Sequence, residues 1–182
     1  MQTEIEARLL EVDVKEFIKT LEKCGAVFVG DWLQMRYCYD FTPVNPDSWI
    51  RLRTTGKETT LTIKDVSSDK IDGTKELEIV VSDFNETDLI LNKMGYVARS
   101  KQENRRIRFM LEGVEIDIDF WPMIPAYVEF EAKREEDIKK VCNTLNIDYC
   151  ELVTIGNKKI YAKYGINLDY YPTLELEEER KI

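Results

Sequence analysis

The sequence predicts an α+β fold: about eight strands forming an antiparallel barrel or a strongly curved sheet, with helices inserted between hairpins and packed outside. Three observations lead there. Charges recur at every second residue with apolar residues between them, as in Glu4, Glu6 and Arg8, Arg51 and Arg53, Glu76 and Glu78, Glu115, Asp117 and Asp119, and Glu129 and Glu131. Residues i and i+2 of a strand share a face, so each segment has one charged and one apolar face. Helical spacing is confined to short stretches between these segments. Finally, like charges segregate by strand, which is destabilising unless opposite charges or ions stand across from them, as the inside of a closed barrel allows.

The elements follow in order. Residues 3 to 11 alternate as a strand, and Asp13 with Glu16 forms a capping box before Val14, Phe17, Ile18 and Leu21 at helical spacing, with Gly25 as the stop. Residues 26 to 41, rich in Val, Phe, Trp and Tyr, read as one or two strands ending at the TPVNPDS loop. Strands at about 48–54 and 58–66 meet at a turn around Gly56, and the polar SSDKIDG stretch leads to a strand near 74–82. A helix is expected at about 85–94, capped by Asn85, with Leu89, Ile90 and Met94 on one face and Gly95 beyond. Strands near 103–111, 114–120 and 126–133 come next, the last two separated by the WPMIP loop. Ile138, Val141, Cys142 and Leu145 mark a third helix, residues 155–164 a fourth, and the acidic LELEEERK tail an exposed end.

Composition narrows the function. At 182 residues one domain is the default, with a barrel core at about 3–133 and C-terminal helices and tail over 134–182. The net charge of −9 argues against nucleic acid as partner, though not against a small anion in a local basic cluster. No apolar run approaches about 18 residues, and the charged MQTEIEARLL start lacks a leader's apolar stretch, so a cytoplasmic protein away from the membrane is expected. Cys24, Cys38, Cys142 and Cys150 form no CxxC pair and read as reduced thiols packed as small hydrophobes. The absence of histidine excludes imidazole acid–base chemistry and HExxH zinc sites, and neither GxxxxGK[ST] nor GxGxxG occurs.

An antiparallel sheet with one wet face also alternates. If the charged faces instead point inward, the acids offer oxygen ligands to hard divalent cations, and the bases neutralise phosphate oxygens. Ile50, Leu52, Leu77, Ile79, Ile116, Ile118, Val128 and Phe130 would then face outward beneath the helices, giving an inside-out barrel.

The residues resemble a known family. Glu4-Ile5-Glu6-Ala7-Arg8 resembles the ExExK signature of the CYTH superfamily, the triphosphate tunnel metalloenzymes. The order of Arg51-x-Arg53, Lys64, Glu76-x-Glu78, Arg106, and then Asp119 and Glu129-x-Glu131 at the two ends of DFWPMIPAYVEFE strengthens the likeness. It implies an eight-stranded antiparallel tunnel, Mg²⁺ or Mn²⁺ on Glu4, Glu6, Asp119, Glu129 and Glu131, and a small-molecule triphosphate held by Arg8, Arg51, Arg53, Lys64, Arg106 and Arg108. Arg8 replaces the usual Lys, which retains a phosphate clamp but removes any role needing a deprotonated amine. Asn104 replaces the first base of the family's Lys-x-Arg, leaving Arg108 or Lys101 to substitute. Glu76 and Glu78 are open between metal binding and pairing with arginines, Glu115 and Asp117 lean structural, and Trp121 and Tyr127 read as packing. The implied activity is metal-dependent hydrolysis of an inorganic, thiamine or nucleoside triphosphate, with adenylate cyclisation or non-catalytic sensing as alternatives. A homodimer is the common default at this size.

Overall fold

A computed structural model describes residues 1–181. Strands β1 (Gln2–Leu9), β2 (Val27–Asp40), β3 (Ser48–Thr54), β4 (Thr59–Val66), β5 (Thr74–Val81), β6 (Ala98–Leu111), β7 (Val114–Phe120) and β8 (Tyr127–Ala132) pair in the order β2-β3-β4-β5-β1-β8-β7-β6. β6 then pairs back onto β2, so the antiparallel sheet closes into an eight-stranded barrel without a free edge. The helices are α1 (Val14–Lys23), α2 (Phe84–Lys93), α3 (Glu135–Thr144), α4 (Asn157–Lys163) and the short α5 (Glu178–Lys181). Among the described residues no helix is long and apolar enough to cross a membrane.

The segment read as one or two strands is the single long strand Val27–Asp40, bulged between Phe28 and Gly30. A Cβ on Gly30 would run into the Trp32 ring as it is placed, so a larger residue there would have to push the indole aside.

The apolar faces do turn outward. Ile116, Ile118, Val128 and Phe130 lie buried under Phe17 and Leu21 of α1 and Ile138, Val141 and Cys142 of α3. Ile50 and Leu52 lie under Phe84 and Leu91 of α2. Leu77 and Ile79 depart from the expectation: among the described residues no helix covers them, and they are 51% and 56% exposed.

Two local expectations need correction. Asp83, not Asn85, caps α2 by accepting the Glu86 amide at 2.8 Å, because Asp83 stands three residues before Glu86 in the capping pattern. The buried face of α2 is then Phe84 and Leu91, seven residues apart, while Leu89, Ile90 and Met94 point to solvent. The tail also docks. β9 (Thr173–Leu174) pairs parallel to β6, Leu174 and Leu176 are buried, and Arg180 donates to the carbonyl oxygens of Trp121 at 2.6 Å and Ile124 at 3.0 Å.

Candidate active site

Arg8, Arg36, Arg51, Arg106, Asp117, Asp119 and Glu129 are all buried although charged. Their strands carry the apolar cores on the opposite face, so these side chains point into the barrel. Several ion pairs reach over an intervening strand: Lys64 of β4 meets Glu4 of β1 at 3.1 Å, Arg51 of β3 meets Glu76 of β5 at 3.4 Å, and Arg106 of β6 meets Glu129 of β8 at 3.1 Å. Only the concave side of a closed sheet permits such contacts. The wet-face reading therefore fails for these strands.

One wall is a dense ion lattice. Arg106 donates through Nε and Nη2 to Asp119 at 2.7 and 2.5 Å, through Nη1 to Asp117 at 2.5 Å, and on to Glu129. Arg8 pairs with Glu129 at 2.6 Å and Glu6 at 2.9 Å, and its Nη1 donates to the Ile155 carbonyl at 3.1 Å. Burial opposes ionisation of Glu129, but Arg8, Arg106 and Lys64 outweigh it and hold the carboxyl far below its ordinary range. At Asp119 the balance tips the other way: burial raises the carboxyl despite Arg106. Arg108 is taken up by Asp117 at 2.7 Å and by Glu115, and Lys101 lies over the Tyr37 ring on the outer face, 4.7 Å from its centroid.

A second region is rich in acids. Glu6 faces Glu131 across β1–β8, and Glu115 faces Glu131 across β7–β8. Glu4 is held by Lys64 and Glu6 by Arg8, but no Lys or Arg pairs with Glu131 among the described residues. Burial first, then the carboxylates of Glu129, Glu4, Glu115 and Glu6, push Glu131 up to about 7. Oxygen-only donors crowded beside a carboxyl without a cationic partner suit a hard divalent cation. As placed, no three His, Cys, Asp or Glu side chains among the described residues enclose an ion. Glu131 has no cationic partner among the described residues and Glu4 and Glu6 have one each, Lys64 and Arg8, so these three fit such an ion by chemistry, whereas Asp119 is held bidentately by Arg106 and Glu129 by both Arg8 and Arg106.

The opposite region is basic. Arg51 and Arg53 of β3 share Glu78 at 3.3 and 3.6 Å, and Lys64 pairs with Glu76. Glu76 and Glu78 thus serve as counter-ions to the bases. The repulsion of Arg51, then burial, then Arg36 and Arg106 pull Arg53 well below its ordinary range, and burial and Arg51 lower Lys64. Buried Nε–H groups of Arg8, Arg36 and Arg51 find no acceptor among protein atoms. Buried donors without a partner are costly, and phosphate oxygens would satisfy them. Arg36 is the member of this set that the sequence pattern did not reveal. Trp121 packs its ring under Arg36 and edge-on to Tyr161, and the Tyr127 hydroxyl donates to Asn157 at 2.9 Å, so both aromatics belong to the wall.

No protein-family model and no curated protein matches the chain by sequence. Solved structures share its fold. A conserved hypothetical protein from Pyrococcus furiosus superposes with a TM-score of 0.72 at 19% identity, covering 85% of this chain and 98% of that one. A protein provisionally described as an adenylate cyclase from Vibrio parahaemolyticus gives 0.71 at 14% identity, covering 88% and 98%. A Hippeastrum protein, provisionally an adenylyl cyclase and described as having a dominant triphosphatase activity, gives 0.57 at 16% identity, covering 91% and 96%. The barrel is thus the fold that the resemblance in the sequence implies.

Proposed function

We propose that this chain belongs to the CYTH superfamily and is a divalent-metal-dependent enzyme acting on a triphosphate, hydrolysis being the leading reaction. The observation that carries the proposal is the charged barrel interior, where Arg8, Arg36 and Arg51 keep unpaired buried N–H donors and the acids Glu4 and Glu6 adjoin Glu131, which has no cationic partner among the described residues. The Hippeastrum neighbour's triphosphatase description favours the same chemistry.

In this reading Arg51, Arg53 and Lys64 hold the phosphate chain, their partial pairing with Glu76 and Glu78 leaving N–H groups for phosphate oxygens. Arg8 reaches the chain from β1 with its free Nε–H. Arg106 pairs with Asp117, Asp119 and Glu129 and fixes their orientation, so that the wall facing the phosphates is braced. A Mg²⁺ or Mn²⁺ ion on Glu4, Glu6 and Glu131 would neutralise phosphate charge and supply Lewis-acid polarisation. Fixed cations already aimed at the transferring group need no reorganisation as charge spreads in the transition state. No imidazole is required.

The test is turnover. Tripolyphosphate, thiamine triphosphate and ATP are each incubated with Mg²⁺ or Mn²⁺, and phosphate, pyrophosphate and cyclic AMP are separated. Phosphate release, lost in Glu6→Gln and Arg53→Ala, is the expected result. Cyclic AMP with pyrophosphate from ATP would make the chain a cyclase, and binding without product would make it a sensor. Full activity in both variants would refute the tunnel as the site.

A further inference from the structure

Arg36 is an anomaly in the ion lattice. It is 8% exposed on the inner face of β2, and its direct cross-strand partner on β3 is another cation, Arg53. Every other inward arginine has a carboxylate in ion-pair range: Arg8, Arg51, Arg53, Arg106 and Arg108 each do. Arg36 has none among the described residues. Its Nη2 donates instead to two neutral amide oxygens, Gln34 Oε1 at 2.9 Å and Asn104 Oδ1 at 2.6 Å. The guanidinium lies 4.6 Å from the centroid of the Trp121 ring, and its buried Nε–H has no acceptor.

This arrangement holds a cation without neutralising it. Two amides and an indole face fix the plane of the fork, while directly opposed like charges destabilise the strand pair. Burial, then Arg51 and Arg106, draw the guanidinium's pKa down to about 10, which still leaves it charged at neutral pH. A group serving only to brace the wall would be expected to gain a carboxylate, as Arg106 does. A fixed, uncompensated guanidinium beside Arg53 instead suits an anion that arrives with its own charge.

We propose that Arg36 is a phosphate-binding residue of the tunnel and supplies from β2 the base that Asn104 does not supply from β6. The proposal rests on the triphosphate reading above. Gln34 and Asn104 face each other across β2–β6 and act as positioning residues, their amide oxygens aiming the Arg36 fork while adding no negative charge. Asn104 also donates to Asp119 at 3.4 Å, which orients its oxygen toward Arg36. Arg108 and Lys101 are unsuited to the role, the first saturated by Asp117 and Glu115 and the second outside the barrel.

The experiment is calorimetric binding of tripolyphosphate and of pyrophosphate to the metal-free full chain in EDTA, with thermal unfolding of the same samples. Arg36→Gln should bind tripolyphosphate about tenfold or more weakly, the loss of a charge-assisted contact. Without ligand it should unfold no lower than wild type, since a repulsion is relieved. A purely structural arginine would give the reverse, lower stability with unchanged affinity. Moving the charge back to β6 in the Arg36→Gln, Asn104→Lys double variant should restore affinity to within about threefold, and this variant carries the test if the single one misfolds. Affinity of Arg36→Gln within about twofold of wild type, or no recovery in the double variant, overturns the role of Arg36. Wild-type binding of pyrophosphate, but not tripolyphosphate, that Arg36→Gln loses would overturn the triphosphate reading while keeping Arg36 as an anion seat. Binding of neither ligand overturns both.

Discussion

Replacing Glu131 by Gln should stabilise this protein, and should do so only above mildly acidic pH. Glu131 is pushed from its ordinary 4.5 to about 7 by burial and by the four carboxylates of Glu129, Glu4, Glu115 and Glu6. In the unfolded chain it ionises near 4.5, whereas the folded chain resists ionisation until about 7. The stabilisation attached to its protonated form is therefore complete below pH 4.5, declines between the two values and is gone above about 7. At about 1.4 kcal/mol per tenfold change, the displacement corresponds to about 3 kcal/mol. Gln has the same shape and no charge to lose. Urea unfolding followed by tryptophan fluorescence, in EDTA, should put Glu131→Gln about 1 kcal/mol above wild type at pH 5 and about 3 kcal/mol above it at pH 8. For a chain of this size the larger figure is about 6–12 °C in melting temperature. Saturating Mg²⁺ should narrow the gap at pH 8, because an ion among Glu4, Glu6 and Glu131 relieves the same repulsion in wild type alone. A difference independent of pH, or a variant less stable than wild type at pH 8, would refute the crowded-acid account.

Three further outcomes test other parts of the structure. Asp119→Asn and Glu129→Gln should each destabilise by about 3–5 kcal/mol in urea titrations, since either leaves Arg106 short of a buried counter-ion. Asp83→Ala should lower stability by about 1 kcal/mol through loss of the α2 cap, while Asn85→Ala stays within about 0.5 kcal/mol of wild type. On β5, Leu77→Ser and Ile79→Thr should also stay within about 0.5 kcal/mol because no helix covers them, whereas Leu52→Ala under α2 should cost about 2–5 kcal/mol.

The fold was legible because the period-two pattern is strong and each long segment carries its own boundary signals. A barrel or strongly curved sheet was also readable, since like charges such as Glu4 and Glu6, or Asp117 and Asp119, on one strand face call for opposite charges beside them, which Lys64 supplies from beyond β5 and Arg106 and Arg108 from the neighbouring β6. Local errors arose where two residues competed for one role. Asp83 and Asn85 are both good caps, and the register of α2 turns on the choice; only packing of Phe84 and Leu91 against Tyr39, Ile50 and Leu52 decides it. The docked tail was hidden because its glutamates dominate the composition, while Leu174 and Leu176 carry the burial.

Arg36 escaped detection for a different reason, and that reason bears on how such tunnels diverge. Segregated strands declare themselves, but the inward face of β2 reads Gln34, Arg36, Cys38, one charge among mixed neighbours. Nothing local marks it. Its significance lies in the register that sets Gln34 opposite Asn104 and Arg36 opposite Arg53, a relation between segments 17 and 68 residues away from it in the chain. In a closed barrel, a charge required at one level can be delivered from any strand passing that level, because inward side chains of neighbouring strands reach the same space. A base absent from Asn104 is thus no sign of a damaged site when Arg36 enters the same space from β2. The motif belongs to the strand, whereas the electrostatics belong to the cavity, and only the second is required to persist for phosphate to bind.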